Sequence, residues 1–163
     1  MKIDEFLPNF DFSEVHERKI SAPASLLYER LSKIDLSRSK SLSILFWLRG
    51  LNTKTNPKES FVLLCEESPN EIVFGLIGRP WKLRGDLQKV TKEQFEKFNE
   101  GSFAKMAWNF SFKPIGNETL VSTETRILCL DKESKKKFKR YWFFIKPFSG
   151  FIRKEILKLL EKD

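Results

Sequence analysis

From Asp131 to the end of the chain the apolar positions recur every three or four residues. Phe138, Tyr141, Trp142, Ile145, Phe148, Ile152, Ile156 and Leu159 form one continuous stripe, the pattern of a helix with a buried face. Lys135, Lys136, Lys139, Arg140, Lys146, Arg153, Lys154 and Lys158 largely avoid that stripe. A straight helix over 132–162 would be about 46 Å long at ~1.5 Å per residue. That matches the roughly 40 Å diameter of a compact chain of this size. Pro147 has no N–H for the carbonyl of Phe143, which predicts a kink or a break there, and Gly150 marks a weak point or a place of close approach.

Upstream the pattern is different. Residues 1–12 read as an irregular lead-in and 13–21 as a first strand. Pro23 opens a helix over 23–33, since its missing N–H costs nothing in a first turn. A second short helix, 39–49, carries Leu42, Leu45, Phe46 and Trp47 and stops at Gly50. The period then drops to two. Residues 61–67, 71–78, 81–90, 103–113 and 119–130 read as antiparallel strands, with turns at 68–70 and 114–118 and a short polar helix or turn over 91–99. The order is strand, two helices, a run of about five strands and one long helix. A curved sheet needs something to wrap around, and the last helix is the only element long and apolar enough. The fold class expected is therefore α+β, one domain over 1–163, with an antiparallel sheet gripping a C-terminal helix.

Composition narrows the function classes. The 163 residues include 16 Phe, 4 Trp and 2 Tyr, and Phe, with no polar handle, fills interiors or greasy cavities. The net charge is +8, and +6 of it lies in 131–163, where eleven basic residues face five acidic ones. That favours anionic surroundings without naming one. No apolar run reaches the ~18 residues of a membrane span. The aromatic segment 141–152, YWFFIKPFSGFI, is interrupted by Lys146 and Pro147. The acidic residues Asp4, Glu5 and Asp11 argue against a secretory signal, so a cytoplasmic protein is expected. Cys65 and Cys129 show neither metal nor redox spacing and read as reduced, inert thiols. His16 is the only histidine and reads as a strand-surface residue. No nucleophile elbow, phosphate loop or His/Cys cluster appears, so the sequence offers no catalytic set, no cofactor and no metal site.

The segments VFGLIGRPW (73–81), FAKMAWNFSF (103–112), STETRILC (122–129) and FKRYWFFIKPFSGFIRKEIL (138–157), in this element order, resemble the START-like, polyketide cyclase-like superfamily (SRPBCC), and look closest to its small bacterial members. The resemblance covers nearly the whole chain from about residue 12. It implies the helix-grip fold and a cavity between sheet and long helix that takes a hydrophobic ligand. Because the superfamily includes lipid carriers, cyclases, hydratases and partner-binding modules, it is a fold signal before it is a function signal.

The candidate site residues follow. Phe74, Trp81, Trp108, Phe110, Tyr141, Trp142, Ile145 and Phe148 are candidates for the cavity wall, with core packing the plain alternative. Glu124 and Arg126 stand two apart on a strand and so share a face; they read as a structural ion pair or solvated face, or as a polar anchor inside the cavity. Arg79, before Pro80, is a weaker anchor candidate. The resemblance places Leu45 and Trp47 near the cavity mouth. Lys135, Lys136, Lys139 and Arg140 form a basic face, either solvated or in contact with an anionic membrane surface; nucleic acid is disfavoured because the aromatics lie largely opposite.

The functional reading is non-enzymatic binding or transport of a hydrophobic small molecule, lipid-like, isoprenoid or polyketide. The alternatives are a cyclase- or hydratase-like enzyme using Glu124, Arg126 or Tyr141, and a module that docks on membrane or ribosome through the basic helix.

Overall fold

The computed structural model describes residues 1–33, 61–82 and 85–162. Five strands form one antiparallel sheet: β1 (Phe12–Ile20), β2 (Val62–Glu67), β3 (Glu71–Gly78), β4 (Ala104–Ile115) and β5 (Glu118–Cys129). Their spatial order is β1-β5-β4-β3-β2. β4 and β5, twelve residues each, make the central hairpin, closed where Ile115 faces Glu118. Gly116 takes φ +60° in that turn, a conformation that costs glycine nothing.

Four helices lie among the described residues: α1 (Ile3–Phe6), α2 (Ala24–Lys33), α3 (Lys92–Lys97) and α4 (Lys132–Lys162). The curved sheet with the 31-residue α4 on one face is the expected α+β helix-grip arrangement. The helix runs through Pro147 without a break. Its start is fixed by Asp131, whose carboxylate accepts the backbone N–H of Ser134 at 2.6 Å and that of Ser102 across the end of the sheet. These backbone bonds hold the Asp131 pKa below the usual carboxylate value.

Two packed clusters close the two ends of the α4 face. At one end Ile20, Ala24, Leu27, Phe110, Phe112 and Val121 meet Ile156, Leu157 and Leu160. At the other, Ala104, Ile127 and Cys129 meet Phe138, with Phe12, Trp81, Met106, Tyr141 and Trp142 around them. Burial pushes the Cys129 thiol up to about 12, which fits an inert core cysteine. A third cluster covers the far face of the sheet. There α1 and α3 bring Ile3, Phe6, Leu7 and Phe95 onto Leu64, Val73, Ile77 and Ala107. Gly75 makes room for this, since a Cβ there would fall 2.9 Å from the Phe95 ring.

Two expectations need correction. The lead-in 1–12 is not irregular throughout: Ile3–Phe6 form α1, and Ile3, Phe6 and Leu7 are buried in the far-face core. Among the described residues of 81–90 no strand forms. Gly85 (φ +73°) and Asp86 (φ 44°) turn the chain back, Arg79 donates its backbone N–H to the Gly85 carbonyl, and only a single bridge, Ile77 to Gln88, reaches the sheet. Of the helix or turn expected over 91–99, the helix forms: α3, Lys92–Lys97, set by a Thr91/Gln94 capping box. The expected helix over 39–49 and the turn-rich stretch after it lie outside the described residues. Among the described residues no helix is long and apolar enough to cross a membrane.

Candidate functional site

Strand alternation decides which side chains face α4. On β5, Thr123, Thr125 and Ile127 point toward the long helix, and Glu124 and Arg126 point away from it. On β4 the helix side carries Met106, Trp108, Phe110 and Phe112; on β1 it carries Phe12, Glu14, His16, Arg18 and Ile20.

Between the two packed ends lies a polar belt that α4 crosses closely. A Cβ at Gly150 would stand 2.7 Å from Glu14 Oε1 and 3.2 Å from His16 Nε2, so any larger residue there would have to push the ends of these two side chains aside. Glu14 and His16 are joined through Oε1 and Nε2 at 2.9 Å. One turn further along the helix, Arg153 donates to Thr123 Oγ1 at 3.2 Å and to Thr125 Oγ1 at 2.7 Å. Its guanidinium carbon sits 5.5 Å from the Trp108 ring centre and 5.9 Å from that of Phe110, within cation–π range. Burial pushes the Arg153 pKa down to about 10, with Glu14 acting in the opposite direction, so the group stays charged at neutral pH. Among the described residues no carboxylate lies within 4.0 Å of Arg153, and Glu14 Oε2 is buried with no hydrogen-bond partner.

The aromatic candidates divide around this belt. Trp108 is half-buried and packs edge-on to Phe61 (4.5 Å between centres) and beside Phe74 (5.6 Å). Phe74, Met106, Thr125, Tyr141, Trp142, Ile145 and Ile152 are also half-buried. Trp81 and Trp142 pack on Phe138 at 6.2 and 5.7 Å. Phe110 is fully packed in the core at the opposite end. Phe148, expected in the wall, is 47% exposed and leaves the inner stripe. Leu45 and Trp47 lie outside the described residues.

The polar anchors expected on the sheet are corrected. Glu124 and Arg126 do form a buried ion pair, Nε to Oε1 at 2.7 Å, but on the far face. Arg126 also holds Asp4 at 2.8 Å and the Leu7 carbonyl at 3.2 Å. Asn109 links Glu124 to Glu71, which accepts the backbone N–H groups of Lys2 and Ile3. Every partner in this network is internal, and its work is to pin the N-terminal segment onto the sheet. Arg79 pairs with Asp86 at 2.9 Å and stacks over Phe103 at 4.0 Å, again away from the belt. Lys135 is tied to Asp11 at 2.5 Å, whereas Lys136, Lys139 and Arg140 are exposed. The expectation that the aromatics oppose the basic residues fails for Phe143, Phe144, Phe148 and Phe151, which are exposed.

Sequence reading missed the belt itself. Arg153 looked like another basic residue off the stripe, and His16 like a surface residue. The available signal was the helix-side alternation of Glu14 and His16 on β1, at a level where α4 carries a glycine, Gly150.

Among the described residues no group of His, Cys, Asp and Glu is arranged to hold a metal ion. No family model matches the chain, and no curated protein matches it. Solved structures aligned with it include CalU16 from Micromonospora echinospora (10% identity, 92% of this chain and 82% of that one, TM-score 0.34). TTHA0849 from Thermus thermophilus aligns at 16% identity over 93% of this chain and 95% of that one, with TM-score 0.32. Ara h 8.0201 aligns at 9% identity over 92% and 95%, with TM-score 0.29. With TM-scores this low, none of them bears on what this chain binds or does.

The two polar networks make opposite demands. Arg126→Met leaves Glu124 buried without its cation and is expected to cost about 3–5 kcal/mol of unfolding free energy. Urea denaturation followed by circular dichroism checks this; a loss below ~1 kcal/mol would mean the far-face pair is not the staple described.

Proposed function

We propose that this chain is a START-like (SRPBCC) binding protein that holds an apolar small molecule between the sheet and α4. The observation that carries the reading is the half-buried aromatic surface around Arg153, between two closed ends of the sheet–helix interface. An interior meant only for packing would bury Trp108, Phe74 and Ile145 completely and would not leave a guanidinium beside Trp108 without a counter-ion. A binding site has this mixture: a largely apolar wall and a few converging polar groups. Trp108, Phe74, Tyr141, Trp142 and Ile145 form the wall in this reading; Phe110 and Phe138 are its packed ends. Lipid-like, isoprenoid and polyketide molecules all have the required apolar bulk. The enzyme alternative loses Glu124 and Arg126, which serve the far face.

Contact with an anionic membrane is a second reading, favoured by one observation. Lys136, Arg140, Phe144 and Phe148 follow one another at steps of four on the outer side of α4, and Phe143 and Phe144 are 75% and 69% exposed. Basic and apolar groups in one row suit an interface of headgroups and acyl chains, where a carrier would load or release cargo.

Two expected outcomes follow. In titrations with the uncharged fluorophore N-phenyl-1-naphthylamine, the wild type binds saturably. Trp108→Ala and Trp142→Ala weaken it roughly 5- to 30-fold, the scale of the ~1–2 kcal/mol lost with one aromatic contact. Unchanged affinity in both folded variants would remove the binding-site assignment. In sedimentation with phosphatidylserine-containing vesicles, binding falls with added salt and is lost on charge reversal at Lys136, Lys139 and Arg140. Salt-independent sedimentation would argue against the membrane contact.

A further inference from the structure

The polar belt also has a composition that selects among apolar ligands. Arg153 has five N–H donors, and two of them are used, on Thr123 and Thr125. Thr123 spends its own proton on the Asn109 carbonyl at 2.7 Å, so toward Arg153 it acts only as an acceptor. Those hydroxyls hold the guanidinium without neutralising it. Glu14 stands near enough to raise the Arg153 pKa yet farther than 4.0 Å from it, and its side chain is 10% exposed with Oε2 unpartnered. A buried, unpartnered carboxylate oxygen and a half-buried guanidinium with donors to spare therefore lie on the same side of the sheet without meeting. The carboxylate oxygen left alone is costly, and a group placed between the two relieves it while taking up a free donor of Arg153.

The charges decide what kind of group. Arg153 and Glu14 sum to zero, so the belt as a whole has no net charge to offer an ion. A carboxylate drawn to Arg153 is repelled by Glu14, and an ammonium drawn to Glu14 is repelled by Arg153. An uncharged group with an acceptor on one side and a donor on the other satisfies both without a net charge in the interior.

We propose that the belt formed by Arg153, Thr123, Thr125, Glu14 and His16 recognises the uncharged polar end of the apolar ligand: a carbonyl-type oxygen that accepts from Arg153 and an adjacent hydroxyl or amide N–H that donates to Glu14. This rests on the binding reading above and deepens it, excluding free fatty acids as preferred cargo and favouring primary amides and hydroxy-carbonyl compounds with an apolar body.

The test displaces N-phenyl-1-naphthylamine with three probes of one chain length, decanamide, decanoate and methyl decanoate, at about pH 8. In the wild type, decanamide is expected to bind at least about tenfold more tightly than either of the others, the scale of one hydrogen bond to a charged partner. Glu14→Gln leaves the belt net positive, and the decanoate-to-decanamide affinity ratio rises. Arg153→Gln leaves it net negative, and the same ratio falls further. Each ratio is taken within one protein, so a general loss of affinity does not mimic it. Should either variant fail to fold, the wild-type ranking still decides: decanoate binding as well as decanamide would overturn the proposal. Ratios that do not move in folded variants would overturn it too, while leaving the apolar site in place. Absence of N-phenyl-1-naphthylamine binding to the wild type would overturn the binding reading, and this inference with it.

Discussion

The approach of the long helix to the middle of the sheet is the constraint on which everything else depends. At Gly150 a single Cβ would collide with Glu14 and His16. One turn later Arg153 reaches across to two threonines on β5. The helix is thus seated by apolar packing at both ends and by polar contacts at its centre. Those polar contacts are what separate this interface from an ordinary core. A helix laid on a sheet for stability alone gains about 25 cal/mol for each Å² of apolar surface removed from water, and gains most when no charge interrupts it. Here a charge interrupts it, with its neighbour Trp108 left half-buried.

The two faces of the sheet show what an interrupted face and a completed one look like. On the far face four charged or amide groups, Glu71, Asn109, Glu124 and Arg126, are as deeply buried as the core around them, and each is bonded inside the protein. The effect is local: α1 is held in place over the inner strands β3, β4 and β5. On the helix face Arg153 and Glu14 end in unused donors and an unused acceptor. A satisfied polar network is consistent with structure alone. An unsatisfied one in an aromatic setting is where a ligand's polar end gains most, because the cost of desolvating Glu14 Oε2 is already met in the folded state.

How far the sequence carried is best judged residue by residue. The long helix was legible because its apolar stripe repeats over eight positions, and β3, β4 and β5 because alternation persisted through them. Residues 81–90 misled because Trp81, Leu83 and Leu87 alternate as a strand would, while Gly85 and Asp86 in positive-φ conformations turn the chain instead. The pairing of Glu124 with Arg126 followed from their spacing. Which face they occupied did not, because strand alternation gives relative facing and no absolute side. α1 was illegible for a related reason: one helical turn carries too little periodicity, and its place is set by Glu71 and Arg126, far away in sequence. Arg153 was hidden among ten other basic residues of the last 33. Only the threonines on β5 and the glycine one turn earlier distinguish it, and both act through the tertiary contact.

The central claim is that the sheet–helix interior is a site and not only a core. Native mass spectrometry of the protein purified without detergent, and again after incubation with mixed lipids and aromatic polyketides, tests it most directly. A stoichiometric extra mass that survives gentle ionisation and disappears on denaturation is the result expected, and its composition would give the ligand's class. A single unliganded mass under every condition would contradict the account and leave the half-open aromatic face as packing alone.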